Sequence, residues 1–239
     1  MTHTATLVHA TAGAEDLIAY MARVSNPDNQ DNPSYEKLIR YLINQNHWSP
    51  FEMVSMCVEI STTRSIAAQI LRHRSFSFQE FSQRYAQVSN KPAMPEWRGQ
   101  DHKNRQNSLD NLAPTTKNEF NDRTQFLFDH AYGLYNDMLK AGIAKECARE
   151  VLPLATPSKL YMHGTLRSWL HYCDLRRANG TQKEHKQIAD AVKGLILEQF
   201  PTVYAAMWGR TSELWTMTFD WSLTIYIPFY PYEETVTKE

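Results

Sequence analysis

The chain has no long apolar run, no excess of charge of either sign and very little cysteine. No stretch of its 239 residues approaches the roughly 18 consecutive apolar residues of a membrane span, and the opening MTHTATLVHA lacks the basic and apolar regions of a signal peptide. A cytoplasmic protein with no membrane partner is expected. The three cysteines, Cys57, Cys147 and Cys173, are scattered and show no CxxC spacing, which argues against a disulfide framework and against zinc. No metal site is expected. Lysine and arginine (25) nearly cancel aspartate and glutamate (26), so the overall charge gives no support for wholesale binding to nucleic acid. Any basic site must be local. There is no internal repeat or low-complexity tract.

Hydrophobic residues make up 42% of the chain and charged residues 21%, the balance of a chain that folds, and the length suits one domain over 1–239. Residues 4 to 10 read as a strand and 14 to 24 as a helix. Beyond the Asn26-Pro27 break a second helix is expected from Ser34 to about Gln45, behind Pro33, and His47-Trp48-Ser49-Pro50 reads as a turn. The run FEMVSMCVEI at 51 to 60 reads as a strand with both faces largely covered. A helix over 62 to 72 follows and leads into Arg72, His73 and Arg74.

Residues 89 to 116 are polar, hold three prolines and show no sustained period, which predicts a long excursion rather than a domain boundary. Helices are expected at about 117 to 140, 143 to 151, 165 to 177 and 183 to 199, with 153 to 162 extended between them. The aromatic tail from 215 to 232 partly alternates, as an added strand would.

The densest chemistry lies in Arg72-His73-Arg74-Ser75-Phe76-Ser77-Phe78-Gln79-Glu80-Phe81-Ser82-Gln83-Arg84. Guanidinium forks match phosphate and carboxylate oxygens, amides and hydroxyls fix orientation, and aromatic rings offer a flat apolar surface. That inventory suits a nucleotide. It equally suits a cationic triplet completing a helix dipole ahead of a solvated loop. A third reading is a nucleic-acid platform in which Arg64, Arg72, Arg74 and Arg84 interleave with Phe76, Phe78 and Tyr85, though a net charge of −1 argues against it.

The arrangement RHR, seven residues, then Ser-x-Arg resembles the signature of the flavin-dependent thymidylate synthases. Five fixed positions would recur by chance in roughly one chain of this length in ten thousand, so the match is specific. His47-Trp48-Ser49-Pro50-Phe51-Glu52 is similar to the family's His-x-x-Pro-Phe-Glu segment. Glu146-Cys147-Ala148-Arg149-Glu150-Val151-Leu152-Pro153, and Leu166-Arg167-Ser168-Trp169 through Leu175-Arg176, are similar to two further ligand-binding stretches. The resemblance covers roughly residues 34 to 88 and 143 to 200.

The resemblance implies an α+β single domain with a central, mostly antiparallel sheet flanked by helices. It also implies a homotetramer whose active sites are shared between subunits, with FAD held among them. The implied reaction methylates dUMP to dTMP, with 5,10-methylenetetrahydrofolate as one-carbon donor and NADPH reducing the flavin. By the same resemblance Arg72, His73 and Arg74 contact FAD together with Ser49, Thr165, Arg167 and His171. Gln69, Arg72, Glu80, Ser82, Gln83, Arg84 and Arg149 bind dUMP, Glu80 touching both ligands. Arg176 is the implied catalytic residue, its guanidinium stabilising enolate-like charge on the pyrimidine. Many relatives carry asparagine where Thr165 and His171 stand and histidine where Gly180 stands. The implied source is a microbe or one of its viruses.

On an ideal helix over 165 to 177, Arg167, His171 and Asp174 share one face, Leu166, Leu170 and Cys173 form the apolar stripe, and Arg176 points nearly opposite Arg167. Read alone, Arg176 is also a helix-end cation. A site built across subunits can use both sides of such a helix. The cysteines offer no thiolate nucleophile: Cys147 and Arg149 point about 200° apart on a helix, so Cys147 is expected in core packing. Ser82 has no visible base and is expected as a ligand hydroxyl.

Overall fold

Alternating strands build the centre of the molecule, and proline sets several of its boundaries. The computed structural model describes residues 3–209, so the tail expected to add a strand lies outside the described residues. Strand β1 (Thr4–Ala10) leads to helix α1 (Ala14–Ala22), and helix α2 (Glu36–Asn44) follows after a 3-10 turn at Pro27–Asn29. The strand expected to open at Phe51 opens instead at Ser55. Pro50 favours a helical start over ladder pairing, and Ser49–Glu52 closes as a 3-10 turn that buries Phe51.

Strand β2 (Ser55–Thr63) is fully covered on one face and half-covered on the other, short of the two largely covered faces expected. Met56, Val58 and Ile60 are fully buried, whereas Ser55, Cys57, Glu59 and Ser61 are half-buried and Glu59 pairs outward with Lys159 at 2.8 Å. Helix α3 (Arg64–Ile70) follows, and then a short strand β3 (Ser77–Glu80) that the sequence did not announce. The excursion holds a two-stranded ribbon of β4 (Gly99–Gln100) and β5 (Ser108–Leu109). Helix α4 (Pro114–Lys140) starts inside the stretch expected as loop, with Pro114 at its first turn, where a missing N–H costs nothing.

The helix expected over 143 to 151 is the single turn α5 (Lys145–Ala148) continued by a 3-10 turn at Arg149–Val151. There Ala148 takes the buried position and Cys147 is exposed, so the expectation of Cys147 in core packing is overturned. Strand β6 (Pro157–Thr165), helix α6 (Leu166–Arg177) and helix α7 (Lys183–Gln199) complete the expected elements. A further helix α8 (Pro201–Trp208) restarts the chain at Pro201.

The sheet runs β1-β2-β6-β3 and every pairing in it is antiparallel. One face presents Lys159, Tyr161 and His163, all exposed; the other presents Leu160 and Met162, fully buried. The buried face packs against α1, α2, α3, α6, α7 and α8 around Trp169, Tyr172, Phe51 and Phe200. Each such side chain contributes about 1.5–3 kcal/mol of apolar burial. Trp169 also donates its indole N–H to the Met56 carbonyl at 2.9 Å. Gly164 lets the ring of Phe76 lie across β6, because a Cβ there would sit 2.4 Å from the ring. Phe76 in turn packs on Trp169 with centroids 4.7 Å apart. This contact pins the segment that follows Arg74 onto the core. No described helix is long and apolar enough to cross a membrane.

Candidate functional site

The residues singled out by sequence fall into three groups within one chain. The first gathers where α3 ends against α6 and the start of α7. Arg72 and Arg74 are exposed, and neither side chain has a hydrogen-bond or ion-pair partner among the described residues. His73, between them, turns inward onto Tyr172 (centroids 5.0 Å) and accepts a hydrogen bond from Arg176 Nε at 2.7 Å. An Nε2 that accepts cannot carry a proton, so the bond assigns His73 the neutral form with its hydrogen on Nδ1. Burial, reinforced by the Arg176 charge, holds His73 down at about 4. Tethered through Nε, Arg176 keeps its two terminal nitrogens for a ligand.

Gln69 belongs to the same group. Its amide nitrogen donates to Gln182 Oε1 at 2.7 Å, and its oxygen lies 3.4 Å from His185 Nδ1. His185 is fully buried, and burial followed by the Arg176 charge pushes it down to about 3. Among the described residues its Nε2 has no partner, and neither has the buried hydroxyl of Tyr172. Burial also pushes the Tyr172 hydroxyl far up, so it stays protonated.

The second group lies where β3 leaves the sheet. Glu80 accepts from Arg64 at 2.6 Å and from Ser158 at 2.9 Å, so β3 and β6 aim one carboxylate at two donors. Gln83 is buried with its amide nitrogen unpartnered among the described residues, beside a cavity of about 250 Å3 that Arg64, Arg149 and Thr156 also line. Arg84 pairs with Glu146 at 3.0 Å and Arg149 with Glu150 at 3.4 Å. Ser82 is exposed, and its carbonyl closes the turn to Tyr85 and Ala86.

The third group surrounds the Ser49–Glu52 turn. Arg167 pairs with Glu52, and His171 packs edge-on against Trp48 with centroids 4.9 Å apart. Ser49 is exposed beside them. Thr165 caps α6, its hydroxyl accepting from Ser168 N at 3.2 Å and meeting Ser168 Oγ at 3.1 Å. That hydroxyl already serves the helix end. The helix geometry expected from sequence holds: Arg167 and His171 reach one flank of α6, and Arg176 reaches the α3 end on the other. Among the described residues no side-chain hydrogen bond or ion pair joins the third group to the first.

Several residues of these groups were not singled out by sequence. His185 had a legible signal, as a lone polar side chain on the apolar stripe of Ile188, Ala189, Val192 and Ile196. Arg64, read from sequence only as part of a basic aromatic platform, is instead the partner of Glu80. The excursion also reaches this region: Arg98 forks onto Glu184 at 2.8 and 3.0 Å, and Lys183 holds Glu96 at 2.7 Å. Asn104 and Gln106 lie 3.7 Å from where a side chain at Gly180 would begin.

Two unpaired guanidiniums beside a half-buried cationic fork, with aromatic rings at their base, suit a flat, anionic ligand. The comparisons agree with that chemistry. Residues 6–202 match the thymidylate synthase complementing protein family. The chain is 50% identical over 202 residues to the probable flavin-dependent thymidylate synthase of Paramecium bursaria Chlorella virus 1, covering 84% of this chain and 94% of that one. It is 54% identical over 193 residues to the flavin-dependent thymidylate synthase of Synechocystis sp., covering 81% and 89%. The crystal structure of a UMP/dUMP methylase, PolB from Streptomyces cacaoi, bound with 5-Br dUMP, superposes with a TM-score of 0.76 at 28% identity over 85% of this chain and 93% of that one. The fold and these likenesses define a nucleotide-methylating class of enzyme. The chain belongs to the thymidylate synthase complementing protein family, that of the flavin-dependent thymidylate synthases.

Proposed function

We propose that this enzyme methylates dUMP to dTMP in de novo dTMP biosynthesis, taking its one-carbon unit from 5,10-methylenetetrahydrofolate and releasing tetrahydrofolate. Bound FAD, reduced by NADPH, supplies the hydride that completes the methyl group. The observation that carries this reading is the first group: Arg72 and Arg74 unpaired among the described residues, with Arg176 held by a neutral His73. These residues fit an anionic flavin nucleotide. Two exposed guanidiniums can take phosphate oxygens, and the His73 Nδ1 hydrogen is free to donate. The Ser49, Arg167 and His171 group would hold another part of the flavin.

The second group, together with Gln69 and Arg176 of the first, is the proposed dUMP site. Arg64, Arg149 and the unpartnered Gln83 amide around one cavity suit an anionic nucleotide. Arg84, Ser82 and Glu80 stand beside it. Arg176, with both terminal nitrogens uncommitted among the described residues, would polarise the pyrimidine and stabilise the charge that makes C5 nucleophilic. A homotetramer with shared sites explains why the groups stand apart in one chain. The exposed apolar side chains Phe126 and Leu127 on α4 suit burial against another subunit. Such an enzyme would work in the cytoplasm.

The test is anaerobic. FAD-loaded protein is reduced with NADPH, dUMP and methylenetetrahydrofolate are added, and flavin reoxidation is followed beside chromatographic dTMP, with UMP as the parallel substrate. Reoxidation with stoichiometric dTMP supports the proposal. A protein that does not retain FAD, or one whose flavin turns over without dTMP, overturns it.

A further inference from the structure

Gln69 has an amide, and an amide has two ends that a nucleotide tells apart. Phosphate oxygens and uracil carbonyls only accept hydrogen bonds, so they attract its N–H and repel its carbonyl. A half-turn about the last side-chain bond exchanges the two at almost no steric cost. Something must choose between them.

In this chain two residues from the start of α7 do so. Gln182 Oε1 takes one hydrogen of the Gln69 amide at 2.7 Å. On the other side His185 Nδ1 stands 3.4 Å from the Gln69 oxygen. With both partners in place, one amide hydrogen and one carbonyl lone pair remain for a ligand, in fixed positions. His185 is itself fixed: it is fully buried, with its ring packed between Tyr172 (centroids 5.8 Å) and His73 (6.1 Å). A ring that donates from Nδ1 while neutral must leave Nε2 as an acceptor, and Nε2 is the ring nitrogen without a partner among the described residues. An apolar side chain would pack on Ile188 and Val192 equally well, so burial alone does not account for a histidine here.

We propose that His185 is a positioning residue for nucleotide binding, donating from Nδ1 to the Gln69 carbonyl and so, with Gln182, locking the amide in the orientation that presents N–H to dUMP. This rests on the assignment of Gln69 to the nucleotide site. The residue never touches substrate in this scheme. Its effect passes through Gln69, so it belongs to affinity more than to the rate of the bound complex.

The readout is the dissociation constant of dUMP for FAD-loaded protein by calorimetry, set beside kcat for dTMP formation. His185→Phe keeps a flat ring and removes both nitrogens; it is expected to weaken dUMP about tenfold, the loss of one oriented hydrogen bond, with kcat within about threefold. Asn places an amide nitrogen near the Nδ1 position whereas Gln places one near Nε2, so His185→Asn should recover much of the affinity and His185→Gln should not. In a Gln69→Ala background His185→Phe should cause no further loss. Gln182→Ala, at an exposed position, should weaken dUMP about threefold in a protein whose core is untouched. Unchanged dUMP affinity in His185→Phe or in Gln182→Ala overturns the proposal, as does additivity with Gln69→Ala. A wild-type protein that binds dUMP but makes no dTMP overturns the functional reading instead, and the calorimetric series still decides this one.

Discussion

The two flanks of helix α6 handle charge in opposite ways. On one flank Arg176 is half-buried, bonded to a neutral histidine and backed by Tyr172 and His185. On the other, Arg167 and Glu52 pair in the open, with side chains 43% and 40% exposed, and His171 lies exposed against Trp48. A half-buried cation is only partly relaxed by water, so neutral acceptors in fixed places stabilise it. An exposed ion pair is held loosely and can be exchanged for a ligand at little cost. The first flank is therefore prearranged, and the second is ready to be reorganised by whatever docks there.

The comparison breaks most severely at the core that carries both flanks. Trp169→Ala removes the ring on which Phe76 rests and the bond to Met56; it should cost about 3–5 kcal/mol in denaturant unfolding. Next in size is the pair Arg72→Ala and Arg74→Ala. Each should remove about 1.5–3 kcal/mol of FAD binding, read by flavin titration, if these unpaired guanidiniums hold its phosphates.

A pH series sharpens the same contrast. Unfolded histidines titrate near 6.5, whereas His73 and His185 in the fold are pushed down to about 4 and about 3. Between those values the unfolded chain binds more protons, so this contribution to stability is fully present above pH 6.5 and is lost as pH falls through the folded values. The melting temperature should drop from pH 7 toward pH 4, and the drop should be shallower in His185→Phe. Smallest of all is Glu52→Ala on the exposed flank, expected to change stability by less than about 1 kcal/mol.

Much of this was legible in the sequence, because periodicity and the arginine signature are local. Strand β1, helices α1, α6 and α7 and the polar excursion stand close to where residue patterns put them. The opposition of Arg167 and Arg176 followed from helix geometry alone. What was not legible depended on contacts distant in the chain. Strand β3 exists because Ser77–Glu80 finds β6, and nothing in its own pattern distinguishes it from a loop. The half-covered face of β2 could not be read, since FEMVSMCVEI is apolar enough for either arrangement. Cys147 was misplaced because the helix around it lasts only one turn, which puts Ala148 inward. His185 was legible as a polar break in the apolar stripe of α7, but its role was not, because its partners Gln69 and His73 lie more than a hundred residues away.

Arg176, held by His73, is proposed to act on the pyrimidine rather than merely to close a helix. Single-turnover dTMP formation in reduced, FAD-loaded wild type and Arg176→Ala, with dUMP and methylenetetrahydrofolate saturating, tests it most directly. The account predicts a rate loss of about 10²–10³-fold, as for removal of one preorganised charge-stabilising donor, in a variant that still binds FAD and melts as a folded protein. A variant that forms dTMP at close to the wild-type rate would contradict it.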